Sequence, residues 1–154
     1  MTRKILVAAA ATITMAACLD TDPVQPTCQP ITLEIASTQG DTVTTQTGLR
    51  YIETSVGTGA EVESCVPIEI TYEGRLTDGT LFDSGGFPFT PGLTRLIPGF
   101  EQGVIGIRAG GSRRLIVPPS LGYGSQPQTD RAGNVIIPAN STLIFDVEVV
   151  SVGN

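Results

Sequence analysis

Few side chains here are able to do chemistry, and their types narrow what that chemistry is. The 154-residue chain has no histidine, and its single lysine is Lys4, near the amino terminus. The commonest general base and metal ligand is therefore missing, and a serine–lysine pair has no lysine in the body of the chain. Carboxylates remain, with 15 acidic against 9 basic residues for a net charge of −6. That balance disfavours nucleic-acid binding, which relies on basic patches to neutralise phosphate. The other candidates are aromatic: five Phe and three Tyr, among them Tyr72, Phe82 beside Asp83, Phe87, Phe100, Tyr123 and Phe145. On residue type alone they read as a core, and Asp83, followed by Ser84-Gly85-Gly86, reads as a turn aspartate.

The elements that must position these residues show in the spacing. In LIPGFEQGVIGIR, Phe100, Val104 and Ile107 share one helical face, which predicts a short helix from Phe100 to Ile107. Gly103 and Gly106 lie inside it, each costing about 1 kcal/mol relative to Ala. So short a helix is marginal in water and must be held by a sheet. LRYIET and SRRLIVP read as strands. VPIEITYEGRL puts Ile68, Ile70 and Tyr72 on one face, and TLIFDVEVVSV does the same for Leu143, Phe145, Val147 and Val149. LTDGTLF is a hairpin turning at Asp78-Gly79. The expectation is an α+β domain of five or six strands, with one helix across the concave face of an antiparallel sheet. Phe89 is assigned to its core, and Arg113-Arg114 to a solvated or paired face. The long Gly/Pro-rich connection SLGYGSQPQTDRAGNVIIPANS suits a functional loop.

The amino terminus has the pattern of an export signal. Arg3 and Lys4 precede 13 uncharged residues, Ile5 to Ala17, too few to span a bilayer. Met15-Ala16-Ala17-Cys18 resembles a bacterial lipoprotein box, which makes residues 1–17 the signal peptide and Cys18 the acylated residue. Leu19, where an aspartate would favour inner-membrane retention, directs the lipoprotein to the outer membrane; a soluble periplasmic or secreted form is the alternative. Cleavage there leaves 7 basic and 15 acidic residues, a net charge of −8. Residues 18–47, rich in Thr, Pro, Asp and Gln, read as a lipid-anchored tether, with a possible short strand over Ile31, Leu33 and Ile35. Cys28 and Cys65 then remain as a pair, read as a disulfide in an oxidising compartment.

From about Gly48 to Val152 the chain resembles the FKBP-type peptidyl-prolyl cis-trans isomerases. The resemblance rests on four blocks in order: GLRYIETSVGTGAEV, ITYEGRLTDGTLFDS, FPFTPGLTRLIPGFEQGVIGIRAGGSRRLIVPPSLGYG and VIIPANSTLIFDVEVV. It implies an FKBP-like fold over residues 48–154, a half-barrel sheet wrapped on one short helix. It also implies an aromatic pocket for the proline ring of a polypeptide client, or for a macrolide such as rapamycin. By position the pocket comprises Tyr72, Phe82, Asp83, Phe87, Leu96, Ile97, Phe100, Tyr123, Ile136 and Phe145. Tyr72, Asp83, Phe100 and Tyr123 carry the catalytic roles, and the others bind substrate. Tyr123 hydroxyl and the Ile97 N–H are expected to meet substrate carbonyls, with Asp83 acting electrostatically near the twisting one. Phe100 stands where the family most often has Trp, DSGGF is shorter than usual, and the loop after Tyr123 carries the extra stretch SQPQTDRAGNV.

The implied reaction breaks no bond and needs no metal or cofactor, so the missing histidine is no obstacle. The expected protein is a monomeric isomerase assisting folding in the cell envelope, touching the membrane through its anchor alone. A rival keeps the fold without catalysis, as a proline-peptide-binding chaperone module.

Overall fold

The structure, a computed structural model, describes residues 27–153. The expected signal peptide and Cys18 lie outside the described residues. The main sheet has seven strands, all paired antiparallel: β1 (Ile35–Gln39), β2 (Thr42–Thr45), β3 (Arg50–Ser55), β4 (Ile68–Leu76), β5 (Leu81–Phe89), β6 (Ser112–Val117) and β9 (Leu143–Val152). Their order across the sheet is β1-β2-β3-β6-β9-β4-β5. A separate two-stranded ribbon pairs β7 (Gln128–Thr129) with β8 (Val135–Ile137). One helix, α1 (Pro98–Val104), and a single 3₁₀ turn, Pro119–Leu121, complete the elements among the described residues.

The period-two patterns decide which faces are buried. On β9, Leu143, Phe145, Val147 and Val149 are buried while Glu148 and Val150 are exposed. On β4, Ile68 and Ile70 are buried and Tyr72 half-buried on that same face. Asp78 and Gly79 turn the β4–β5 hairpin; Gly79 has φ 90°, and the Asp78 carboxylate accepts the Thr80 N–H at 2.8 Å. DSGGF needs no loop, and the ladder shifts register once, at Phe82 just before it. The segment runs as edge strand, with Ser84, Gly85 and Gly86 opposite Glu73, Tyr72 and Thr71. Pro88 is tolerated because an edge strand has one side free of ladder bonds.

The helix differs from its expected limits, and the glycines explain why it is built so poorly. It begins at Pro98, whose missing N–H costs nothing at a helix start, and ends at Val104. Ile105 is extended (φ −60°, ψ 132°) and Gly106 is left-handed (φ 82°). Ile107 therefore reaches the core from a non-helical segment, at 2% exposure. Gly99 and Gly103, one turn apart, face β6. A Cβ at Gly99 would overlap Val117, and one at Gly103 would overlap Leu115. Close approach of helix to sheet outweighs the roughly 1 kcal/mol lost per glycine.

Arg113 is paired, as its sequence reading allowed, but buried and not on a solvated face. Only 3% exposed, it donates to the carbonyls of Gly103 at 2.7 Å and Ile105 at 2.9 Å, which close the carboxyl end of α1. It also pairs with Glu53 and lies 4.1 Å over the Tyr51 ring. A cation there satisfies carbonyls the helix leaves unpaired and complements its dipole. Arg114, by contrast, is exposed and paired with Asp146 at 2.7 Å.

The amino-terminal stretch holds two strands, β1 and β2, which extend the sheet into residues read as tether. Ile31 and Leu33 precede them outside any strand. The Ile31 N–H is taken by the Ser64 hydroxyl at 2.7 Å, not by a ladder partner. Cys28 and Cys65 are joined by a disulfide with Cα atoms 5.7 Å apart. Closing a 37-residue separation contributes roughly 3–4 kcal/mol in a chain-entropy picture.

Candidate active site

Between α1 and the strands β4, β5 and β9 lies a cavity of about 140 Å³, lined by Tyr72, Asp83, Phe87, Leu96, Ile97, Phe100, Tyr123 and Phe145. A larger, open groove of about 560 Å³ also exists, bordered by Thr54, Thr71, Glu73, Ser112 and Glu148. Tyr72 is the one ring on its border, whereas five rings line the smaller cavity, which is therefore the better binding site.

Phe100 forms its floor. The ring is 4% exposed and meets Phe145 edge to face at 5.2 Å and Tyr72 at 5.8 Å. Phe87 closes the β5 side, with its centroid 5.7 Å from that of Tyr72. Phe89, two residues on along the same face, supports the floor from below, 6.1 Å from Phe100. These are the offset and edge-on packings that aromatic quadrupoles favour. The floor is held by the helix, and the helix by Gly99, Gly103 and Arg113.

Two positions differ from their neighbours in the set. Phe82 stands behind the cavity wall, edge to face with Phe145 at 5.6 Å and over Gly74, where a Cβ would overlap its ring. Ile136 does not line the cavity. It is 38% exposed on β8, while Ile137 is buried at 3%. Strand alternation sends these neighbours to opposite sides, and the core takes the second.

The polar groups stand at the rim. Tyr72 hydroxyl donates to the Asp83 carboxylate at 2.7 Å. Burial, the Asp83 hydrogen bond and its charge together push the Tyr72 phenol up to about 12. The Tyr123 phenol is also raised, first by burial and then by the Asp83 charge. Both hydroxyls thus stay protonated as donors, and Tyr123, at 37% exposure, is open to a ligand. The Ile97 carbonyl accepts from Phe100 and Glu101 at 3.0 and 3.2 Å. Its own N–H has no hydrogen-bond partner among the described residues.

Two residues to which the sequence reading gave no role in the site, Glu101 and Arg113, shape it from behind. Glu101 accepts the Leu96 N–H at 2.7 Å and the Gly92 N–H at 3.2 Å, pinning the loop that presents Leu96 and Ile97. An acidic residue in a first helical turn reads from sequence as a dipole effect alone. Arg113 had a signal: it shares the β6 face of Leu115 and Val117 at period two. Among the described residues no group of three or more His, Cys, Asp or Glu is placed to hold a metal ion.

The sheet packs on one helix, and the cavity between them is lined by five aromatic rings, with Asp83 and the Tyr72 and Tyr123 side chains as its polar residues. The chain belongs to the FKBP-type peptidyl-prolyl cis-trans isomerase family, whose profile matches residues 58–150. It is 41% identical over 114 residues to the isomerase FkpA of Buchnera aphidicola, covering 71% of this chain and 43% of that protein. To FK506-binding protein 2 of Yarrowia lipolytica it is 47% identical over 92 residues, covering 56% and 60%. Among solved structures, FkpA from Escherichia coli superposes with a TM-score of 0.63 at 34% identity, covering 75% of this chain and 53% of that one. AtFKBP13 gives 0.66 at 30%, covering 71% and 97%. Several curated relatives are longer, the chain spanning 21%, 54% and 43% of three of them.

Proposed function

We propose that this protein is a peptidyl-prolyl cis-trans isomerase acting on X-Pro bonds of polypeptide clients. The observation that carries the reading is the cavity floored by Phe100, with an open Ile97 N–H and the Tyr123 hydroxyl at its rim. An X-Pro imide turns against a barrier of about 18–20 kcal/mol because the nitrogen lone pair is delocalised into the carbonyl. The planar form is the more polar one. Enclosure of the ring by Tyr72, Phe87, Phe100 and Phe145 disfavours that charge separation relative to the twisted form, so the pocket binds the transition state better than either ground state. The Ile97 N–H and Tyr123 hydroxyl orient the flanking chain. The Asp83 carboxylate, held by Tyr72, supplies a fixed negative field at the twisting carbonyl, without proton transfer. Phe82 backs Phe145, and Ile136 meets the client outside the cavity.

The Phe100 floor suits proline and is a smaller platform for rapamycin-type macrolides. An exported setting with Cys18 lipidated at the outer membrane is supported by the Arg3-Lys4 and Ile5–Ala17 pattern and the Met15-Ala16-Ala17-Cys18-Leu19 run. The Cys28–Cys65 bond adds to that support, since oxidising compartments preserve such bonds. Isomerisation of a Leu-Pro tetrapeptide tests the activity: acceleration that Tyr123→Phe and Asp83→Ala both weaken is expected. A folded protein that binds the peptide without accelerating it would instead make this a chaperone module.

A further inference from the structure

We infer that the segment Thr27–Ile31, fastened by the Cys28–Cys65 disulfide, is a strap that positions the substrate-binding loop of the pocket. This rests on the isomerase reading of that pocket. The loop from Thr90 to Ile97 leaves β5 and delivers Leu96 and Ile97 to the cavity. Its bonds to the rest of the protein are few and come from two sides. From the helix, Glu101 takes the N–H groups of Gly92 and Leu96. From the opposite side, the Cys65 N–H donates to the Pro91 carbonyl at 2.9 Å, and the Gln29 N–H donates to the Gly92 carbonyl at 2.9 Å. The two half-cystines, or their immediate neighbour, thus hold consecutive carbonyls of the loop.

Three further observations show that strap and loop are built for each other. Gly92 is left-handed at φ 83°, and a Cβ there would overlap the Gln29 carbonyl, so the two backbones touch. Cys65 is itself left-handed at φ 69°, a conformation L side chains seldom adopt unless their surroundings hold it. The Ser64 hydroxyl accepts the Ile31 N–H at 2.7 Å and donates to the Ile31 carbonyl at 3.1 Å, tying down the other end of the strap. The strap also lies outside residues 58–150, the part matched by the family. Opening the disulfide frees one face of the loop, and the Ile97 N–H loses its fixed aim. An N–H donor that wanders by a fraction of an ångström holds the substrate carbonyl poorly in its reactive geometry.

The test compares oxidised protein with protein reduced by dithiothreitol, with Cys28→Ser/Cys65→Ser, and with Ser64→Ala. In the reduction two electrons and two protons pass from the dithiol to the bond, leaving two thiols and an oxidised cyclic dithiothreitol. Cys65 is exposed, so the reductant has access. All forms are assayed at a temperature where each is folded, for isomerisation of a proline tetrapeptide and for amide hydrogen exchange. Reduction and the double variant are expected to lower kcat/KM by about tenfold, below the loss of about a hundredfold that a full 1 Å misplacement can cause. Ser64→Ala should lower it less. Exchange at Gly92 and Leu96 should quicken while β4 and β9 amides stay protected. Should reduced protein unfold, Ser64→Ala, with its disulfide intact, decides. Full activity and unchanged Gly92 and Leu96 exchange in Ser64→Ala and in any folded form lacking the disulfide would overturn the inference and leave the isomerase reading standing. If oxidised protein lacks activity, that reading fails, and exchange at Gly92 and Leu96 still decides whether the strap holds the loop.

Discussion

Replacing Gly103 by alanine sets two effects of similar size against each other. In an exposed helix the change stabilises by about 1 kcal/mol, since alanine is the better helix former. Here the new Cβ would overlap both Cδ atoms of Leu115 and reach within 3.0 Å of its Cγ. Leu115 is 0% exposed, packed between helix and sheet with nowhere to retreat. Forcing an extra methyl into such a core costs typically about 1–3 kcal/mol. With about 2 kcal/mol of overpacking offset by about 1 kcal/mol of propensity, Gly103→Ala should destabilise by about 1 kcal/mol and lower Tm by about 4 °C. Urea unfolding and calorimetry read both quantities. The helix must also ride up from β6, carrying Phe100 away from Phe145 and Tyr72, so isomerisation should fall further than stability does. A variant about 1 kcal/mol more stable than the parent, with activity intact, would refute the close-packing explanation of the helix glycines.

Other outcomes follow from the same geometry. Phe100→Ala removes the floor and should cost about 3–5 kcal/mol, with activity lost even under conditions where the variant remains folded; unfolding curves and the tetrapeptide assay check both. Arg113→Met takes the donor away from the Gly103 and Ile105 carbonyls and should cost about 1–3 kcal/mol, the usual result of leaving a buried acceptor unsatisfied, since its partner Glu53 is itself exposed; urea unfolding reads the loss. Asp83→Asn should bring the Tyr72 phenol down from about 12 towards its ordinary value without reaching it, since burial is the largest cause of the shift; phenolate absorbance, with Tyr72→Phe as reference, follows this. A phenol raised on folding binds its proton more tightly in the native state. Its contribution is therefore complete below the unfolded value of about 10 and fades as pH rises towards about 12. Urea titrations at stepped alkaline pH should show a smaller loss of stability for Tyr72→Phe than for the parent over that window.

The sheet was legible because its strands alternate: VPIEITYEGRL and TLIFDVEVVSV carry their buried faces in plain view. Phe100, Val104 and Ile107 also marked core positions correctly, yet periodicity placed the helix too far along the chain. The reason is that Ile107 reaches the core from an extended segment after left-handed Gly106. The strand expected over Ile31 to Ile35 lies later, at Ile35–Gln39, because Ser64 intercepts the Ile31 backbone. Long-range side-chain bonds of that sort leave no local trace. The same holds for Glu101, whose two partners are loop amides rather than a patterned face. Ile136 and Ile137 show the limit of carrying positions across a resemblance. A shift of one residue in a short strand decides which isoleucine the core receives, and the extra residues after Tyr123 fall just before it.

Rotation about the X-Pro bond can be watched directly, by exchange NMR between cis and trans signals of a proline tetrapeptide at equilibrium. With the oxidised protein added in catalytic amount, interconversion should rise from the unaided timescale of tens to hundreds of seconds into the range that exchange spectra resolve. The Ile97 amide and the Phe100 ring resonances should shift as peptide binds, and Phe100→Ala should abolish both effects. Exchange that stays at the unaided rate in the presence of folded, peptide-saturated protein would contradict the assignment of isomerase activity to this cavity.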